Sequence, residues 1–481
     1  MEETGMPSYK NEGSRLFNVE LSPESATGTW KTWNLLAWWM SGWHSLGGYT
    51  MAIGLFALGL AGWQMIVAFA LGIVVLYFTN NLSGVAGQRT KVPFPVFARA
   101  SFGVNGANIP AILRAIVAVA WYGIQTYLAS AAVMLLVIKL IPSSSALTQN
   151  SIVGLSTLGW ICFLVLSFAQ LLVLSRGMEA VRRLTDFAGP AIWVAMIALA
   201  IWILSRAGWS IDFTYRTVEG NSGVIAMLSA MFITVSYFAG PTLNFADFTR
   251  NAPNEQMVRR GNAWGLLLNA TAFGAISIVI ALASVKVYGE AIHDPIVLLK
   301  DIDSIAILLV AIIAIGTATA GINIILNFVA PVYDIINVWP RHFTFRKAGV
   351  LVAALSIVIT PWNLFSNPVI VNHFIGGVGA LMGPLYGIIM TDYYLVRRGA
   401  IDTNALFDDS TSGKYYYSGG YNMKAVSALI VSGVITIGLS VTPSLGVFAP
   451  FAWPIGVAVS AIIYWQFSKG DIRSIEAATA R

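Results

Sequence analysis

The stretch Trp39-Met-Ser-Gly-Trp-His-Ser-Leu-Gly-Gly48 interrupts an apolar run long enough to cross a bilayer, and Ser236-Tyr-Phe-Ala-Gly-Pro-Thr-Leu-Asn244 interrupts another, five spans later. Gly relaxes a helix, and Pro deletes one of its hydrogen bonds. Either break alone reads as a kink, or as small residues that let helices approach. Two breaks at matching positions of two five-span halves point instead to a transporter site, where freed amides and carbonyls bind a ligand and an ion.

Around these two runs the whole chain is apolar. It is 57% hydrophobic and 10% charged, with mean hydropathy +0.72, whereas soluble domains carry about 25% charged residues. Spans are expected near 33–57, 61–83, 109–140, 152–174, 187–206, 223–246, 261–288, 303–333, 347–362, 369–396, 423–442 and 447–467. An apolar helix needs about 20 residues to cross the hydrocarbon, and several of these are longer, so they tilt. The reading is an all-α polytopic membrane protein with twelve spans.

The basic residues fix its orientation. Arg89, Lys91 and Arg99, then Arg176, Arg182 and Arg183, then Arg250, Arg259 and Arg260, then Arg341, Arg346 and Lys347, then Arg397, Arg398, Lys414 and Lys424 fall in alternate loops. With both termini that set holds 22 of the 28 Lys and Arg, and the intervening loops hold five, Lys139, Arg206, Arg216, Lys286 and Lys300. Arg114 alone lies within a span. Basic residues near span ends stay cytoplasmic, so both termini are expected inside an inner membrane. The net charge of +6 follows from this bias. It does not indicate nucleic acid, for no aromatic-basic patch accompanies it. The first thirty residues lack an apolar core, so no cleaved signal peptide is expected. One cysteine, Cys162, leaves disulfides no role. The expected divisions are a tail at 1–32, a first five-span half at 33–206, a second at 223–396, two more spans at 423–467 and a tail at 468–481.

Polar side chains inside the membrane are costly and face a cavity or a partner. Trp121 and Gln125 share one face of span 3, four residues apart, and Asn323 and Asn327 share one face of span 8. An indole supplies a stacking surface, and primary amides match the edge of a cyclic amide or ureide. The expected partner is thus a small neutral heterocycle in a site without charge. The alternative is that these amides only bridge helices. His44 is either a proton shuttle or a fixed hydrogen-bonding group. Asp247, Asp334 and Asp392 read as structural pairs or gates. Gly379, Gly383 and Gly387 read first as a packing stripe. No HExxH motif, cysteine cluster, phosphate loop or carboxylate pair suggests an enzyme, and no metal, cofactor or obligate protein partner is expected beside the bilayer.

At several blocks the chain resembles the nucleobase–cation symporter family 1, which includes hydantoin, allantoin, uracil and cytosine permeases. The blocks are Pro93-Phe-Pro-Val-Phe-Ala-Arg-Ala-Ser-Phe-Gly103, Gly106-Ala-Asn-Ile-Pro110, Trp121-Tyr-Gly-Ile-Gln125, Asp247-Phe-Thr-Arg250, Ala330-Pro-Val-Tyr-Asp334, Gly383-Pro-Leu-Tyr-Gly387 and Asp392-Tyr-Tyr-Leu-Val-Arg-Arg398. The resemblance implies two inverted five-helix repeats, as in leucine transporters, plus two C-terminal helices. It implies that Trp121 stacks on the substrate ring, that Gln125 and Asn327 bond its edge with Asn323 one turn away, and that the span-6 aromatic, Phe238 here, closes the other side. It places Ser45 near the ligand. It also implies an ion site between spans 1 and 8, mapping to Ser41, His44, Ala318, Gly321 and Ile322. Sodium-coupled members carry hydroxyls at the last two positions, and this chain does not. A hard cation needs oxygen ligands, so protons are the expected coupling ion, with Thr317 and Thr319 as possible oxygens for sodium after a register shift. The alternatives are a sodium-coupled importer of the same class, an amino-acid or amine transporter of the same fold, and a gated channel.

Overall fold

The structure, a computed structural model, describes residues 12–471 apart from 177, 217–222, 293–297, 299–308, 310–315, 317–318, 320 and 365–367. Among the described residues the regular structure is helical and no β-strand forms. Among the described residues, eight helices are long and apolar enough to cross a membrane. They are Gly62–Thr90 (span 2), Asn108–Leu140 (span 3), Thr157–Ser175 (span 4), Asp186–Arg206 (within span 5), Glu255–Tyr288 (span 7), Phe374–Val396 (within span 10), Met423–Val441 (span 11) and Pro443–Phe467 (span 12). The other four expected spans are each short for a stated reason. Spans 1 and 6 are broken, span 8 is described continuously only from Gly321, and span 9 is the fourteen-residue helix Phe345–Val358.

The break in span 1 falls earlier than the Gly pair suggests. Helix Thr32–Trp43 ends at His44, and the extended Ser45 caps a second helix, Leu46–Gly54, its hydroxyl accepting the Gly48 N–H at 3.0 Å. Gly48 is required there, because a Cβ would collide with the Trp43 carbonyl oxygen. Span 6 stops at Tyr237, and a short helix, Ala239–Leu243, follows the non-helical Phe238. Pro241 explains the stop: it has no N–H to offer the Tyr237 carbonyl four residues back. The broken helices pack on each other through aromatic rings. Trp38 meets Phe245 and Phe248 at centroid distances of 5.1 and 4.8 Å, and Trp43 stacks on Phe238 at 4.1 Å. Among the described residues, three stretches wind as π-helix: Ala263–Ala270, Asn323–Phe328 and Asp392–Val396. Such bulges concentrate at functional sites.

Span 10 seats against span 12 through its glycine stripe. A Cβ at Gly383 would strike the Trp453 carbonyl, and one at Gly387 the Ser460 hydroxyl. The packing role of that stripe is thereby observed. Cys162 is a buried free thiol.

The segment from residue 12 to 30 straps across one face. Asn18 Nδ2 donates to the Pro340 carbonyl at 2.8 Å, Arg99 reaches the Leu16 carbonyl at 3.3 Å, and Arg15 bonds Asn105 at 2.7 Å. Arg250 donates to the Glu20 and Ser22 carbonyls and to the Ser25 hydroxyl. The connection after span 10 docks beside it: the Tyr417 hydroxyl donates to the Ala100 carbonyl at 2.6 Å, and the Val104 N–H to the Tyr415 carbonyl. Lys424 pairs with Asp471 at 2.8 Å. The basic loops and both described chain ends thus share one face.

Candidate functional site

Beside the break in span 6 lies a small cavity lined by residues of spans 3, 6 and 8. Its lining includes Trp121, Gln125, Phe238, Asn327, Tyr237 and Arg114. Its volume is about 20 Å³, room for one water and not for a ring. The side chains have closed on one another in this conformation.

Trp121 is buried, and its indole meets Tyr237 edge-on at 5.2 Å and Phe374 at 5.2 Å. Gln125, one turn on, is 1% exposed, and its Oε1 accepts no hydrogen bond among the described residues. Gly47 makes room for that amide: a Cβ there would lie 2.7 Å from Gln125 Nε2 and 3.0 Å from the Tyr237 hydroxyl. The Tyr237 hydroxyl in turn interacts with the Ser45 and Gln125 side chains. The second half of span 1 therefore abuts the cavity through a glycine, with the capping serine beside it.

The two asparagines of span 8 divide. Asn323 Nδ2 reaches the Tyr122 carbonyl at 2.9 Å, Thr126 Oγ1 at 2.8 Å and Gln170 Oε1 at 2.9 Å. It ties span 8 to spans 3 and 4, which is the bridging role weighed above as the alternative. Asn327 lines the cavity, and its Nδ2 donates to Asn323 Oδ1 at 3.2 Å. Asn323 thus orients Asn327.

Three placements differ from the sequence expectation. Phe238 lines the cavity, but its ring lies flat on Trp43 at 22°, and Trp121 instead meets Tyr237, as well as Phe374, edge-on. A non-helical residue sets which neighbour turns inward, and residue type carries no trace of that. The lining is not free of charge, because Arg114 belongs to it. The spacing held that signal: positions 114, 121 and 125 recur at helical intervals on one face. Ile322, expected at the ion site, lines the cavity.

Of the expected ion-site residues, Ser41 is buried, and the side-chain direction of Gly321 points toward it: a Cβ there would lie 3.9 Å from Ser41 Oγ and 3.1 Å from Ala188 Cβ. Ala318 and Thr317 lie outside the described residues. Thr319 is buried with an unpartnered hydroxyl. His44 is fully buried between Phe273, stacked at 4.7 Å, and Trp193, edge-on at 4.9 Å. The Gly189 backbone and the Asn269 amide approach its ring, but neither completes a hydrogen bond.

Residues 23–461 match the family described as permeases for cytosine/purines, uracil, thiamine and allantoin. An allantoin permease of Bacillus subtilis is 31% identical over 470 residues, covering 95% of this chain and 94% of its own. A purine-uracil permease of Arabidopsis thaliana is 33% identical over 429 residues, covering 88% and 71%. Among solved structures, a nucleobase–cation symport family transporter, closed with bromovinylhydantoin bound, superposes with a TM-score of 0.80 at 22% identity, covering 95% of this chain and 96% of that one. The last likeness bears on the fold, which is that of the inverted-repeat transporters.

Proposed function

The chain belongs to this permease family and is a membrane transporter rather than an enzyme, and from that premise we propose that it imports a neutral nucleobase-like heterocycle or cyclic ureide, driven by protons. The class includes uracil, cytosine, allantoin and hydantoin, which the family description and the names of the relatives span. The observation that carries the reading is Gln125 Oε1, a buried acceptor without a donor on the wall of the central cavity. Leaving such a group unpaired costs about 1–3 kcal/mol, and a ring N–H would supply the donor. Trp121 offers a face for stacking, Asn327 a second amide, and Arg114 a donor for a ring carbonyl. The charge of Arg114 is answered by the buried carboxylate of Asp247 nearby. The lining therefore suits a neutral ring better than an anion.

The basic-loop face is taken as cytoplasmic, with both termini inside. Proton coupling is favoured over sodium because Gly321 and Ile322 bring no hydroxyl where spans 1 and 8 meet. The test is uptake of labelled uracil, cytosine, allantoin and hydantoin in cells lacking their own permeases. Saturable uptake of at least one ring is expected. Saturable uptake of amino acids with none of the rings would overturn the substrate class, and flux that never saturates would indicate a channel.

A further inference from the structure

On the basic-loop side of the cavity lies a cluster of buried charges that the cavity touches only at Arg114. Arg114 precedes Trp121 by seven residues on span 3, and Asp334 follows Asn327 by seven on span 8. Each offset is about 10 Å along a helix. Asp247, past the break in span 6, completes the cluster, and all three side chains are 1% exposed.

Their hydrogen bonds are unequal. Asp247 is a satisfied carboxylate: the Phe94 N–H donates to one oxygen and Asn244 Nδ2 to the other, both at 2.7 Å. Arg114 donates from Nε to Asn244 Oδ1 at 3.0 Å and from one terminal nitrogen to the Leu326 carbonyl at 3.2 Å, while Nη1 has no partner. Asp334 accepts no hydrogen bond at either oxygen among the described residues. A buried carboxylate without a donor is strongly disfavoured as an ion, and the group keeps its proton instead.

The charged groups around Asp334 come from every side. Span 3 brings Arg114, and span 6 brings Asp247. Arg250 stands over the ring of the neighbouring Tyr333 at 5.7 Å, but its bonds go to the N-terminal strap, where Glu20 sits. Arg99 bonds Asn337, one turn further along span 8, at 2.7 Å. Among these described groups Arg114 Nη1 is the donor that stands unused beside an unused acceptor.

We propose that Asp334 carries the coupled proton, taking it up while the cavity is open to the outside and releasing it on the basic-loop side. This rests on the proton-driven reading above. With Asp334 neutral, Arg114 stays bound to Asn244 and holds span 3 against the broken span 6. Release breaks the Asp334 O–H bond, the proton passes to water, and the electron pair stays on the carboxylate. The new charge draws Arg114 Nη1 to itself. Arg114 then leaves Asn244, and the inner side opens beneath the substrate. Proton departure and inner opening become one event.

The test uses the purified full chain in sealed vesicles, with the ring identified by the uptake screen. Three quantities are read: accumulation driven by an imposed pH gradient, exchange of labelled for unlabelled substrate without a gradient, and apparent affinity against pH. For the wild type we expect gradient-driven accumulation and an affinity that weakens about tenfold per pH unit on the alkaline side, as one linked proton requires. Asp334→Asn mimics the neutral acid, and we expect it to keep exchange, lose gradient-driven accumulation and show a flat pH profile. A wild type indifferent to the proton gradient overturns proton coupling itself, and this inference with it. A proton-driven wild type whose Asp334→Asn variant still accumulates overturns the assignment alone. Should Asp334→Asn not be recovered folded, Asp334→Glu decides: retained coupling with a displaced pH midpoint supports Asp334, and an unmoved midpoint overturns it.

Discussion

Asn323 and Asn327 stand one turn apart on the same span, yet their variants should fail in opposite ways. Asn323→Ala takes the donor from Gln170 Oε1 in a dry interior, while the Tyr122 carbonyl and Thr126 keep their bond to each other. One buried acceptor left unpaired costs about 1–3 kcal/mol, so the melting temperature in detergent should fall. Asn327→Ala exposes a cavity wall instead. We expect a nearly unchanged melting temperature and an apparent affinity weakened by about 5- to 150-fold, the equivalent of one buried amide contact. Gln125→Ala and Trp121→Ala belong with Asn327, and unchanged affinity in all three would show the cavity to be packing only. Gly47→Ala probes the same wall from span 1. Its new methyl must displace Gln125 Nε2 and the Tyr237 hydroxyl, so transport should be lost while the protein still reaches the membrane. Much of this cavity's lining was legible in the sequence. The i, i+4 pairs on spans 3 and 8 named Trp121, Gln125 and Asn327, because a polar group in hydrocarbon is informative by its presence. Tyr237 was not legible, since the adjacent Phe238 is non-helical and its turn decides which ring enters.

At the scale of the element, Gly and Pro marked where helices break but not on which residue. Span 1 opens at His44–Ser45, two residues ahead of Gly47-Gly48, because the Ser45 hydroxyl caps a new helix and Gly48 clears the Trp43 carbonyl. Span 6 opens at Phe238, ahead of Gly240-Pro241, because the missing N–H of a proline acts four residues upstream. The π-helical turn of span 8 left no mark in residue type, as it arises from packing. The proline argument yields a prediction. Pro241→Ala returns a donor for the Tyr237 carbonyl and should extend the helix through Phe238. The melting temperature should hold or rise, while the maximal transport rate falls, since alternating access uses the break. A variant transporting at the wild-type rate would show that Gly240 and the surrounding packing, not Pro241, maintain the opening.

For the whole molecule, the alternation of basic loops revealed one face, and the strap of residues 12–30 lies on it, joined to loops from both halves. What composition could not disclose is the coupling ion, because carbonyl ligands leave no trace in residue identity. Geometry narrows the question. A sodium site between spans 1 and 8 needs several oxygens. Residue 321 points between Ser41 and Ala188 and is glycine, and even a Cβ there would crowd Ala188. Ile322 turns to the cavity. Thr319, buried with an unpartnered hydroxyl, is the hydroxyl closest in sequence to those two positions among the described residues. Replacing sodium by choline at constant pH should therefore leave uptake intact, while a protonophore should abolish accumulation. Linkage adds a second measurement: the coupling ion and the substrate must raise each other's affinity by the same factor. Lower pH should tighten substrate binding, and added sodium should not. Binding that steepens with sodium would reverse the assignment. Thr319→Ala would then remove that dependence if its hydroxyl, with span-1 carbonyls, forms the cage.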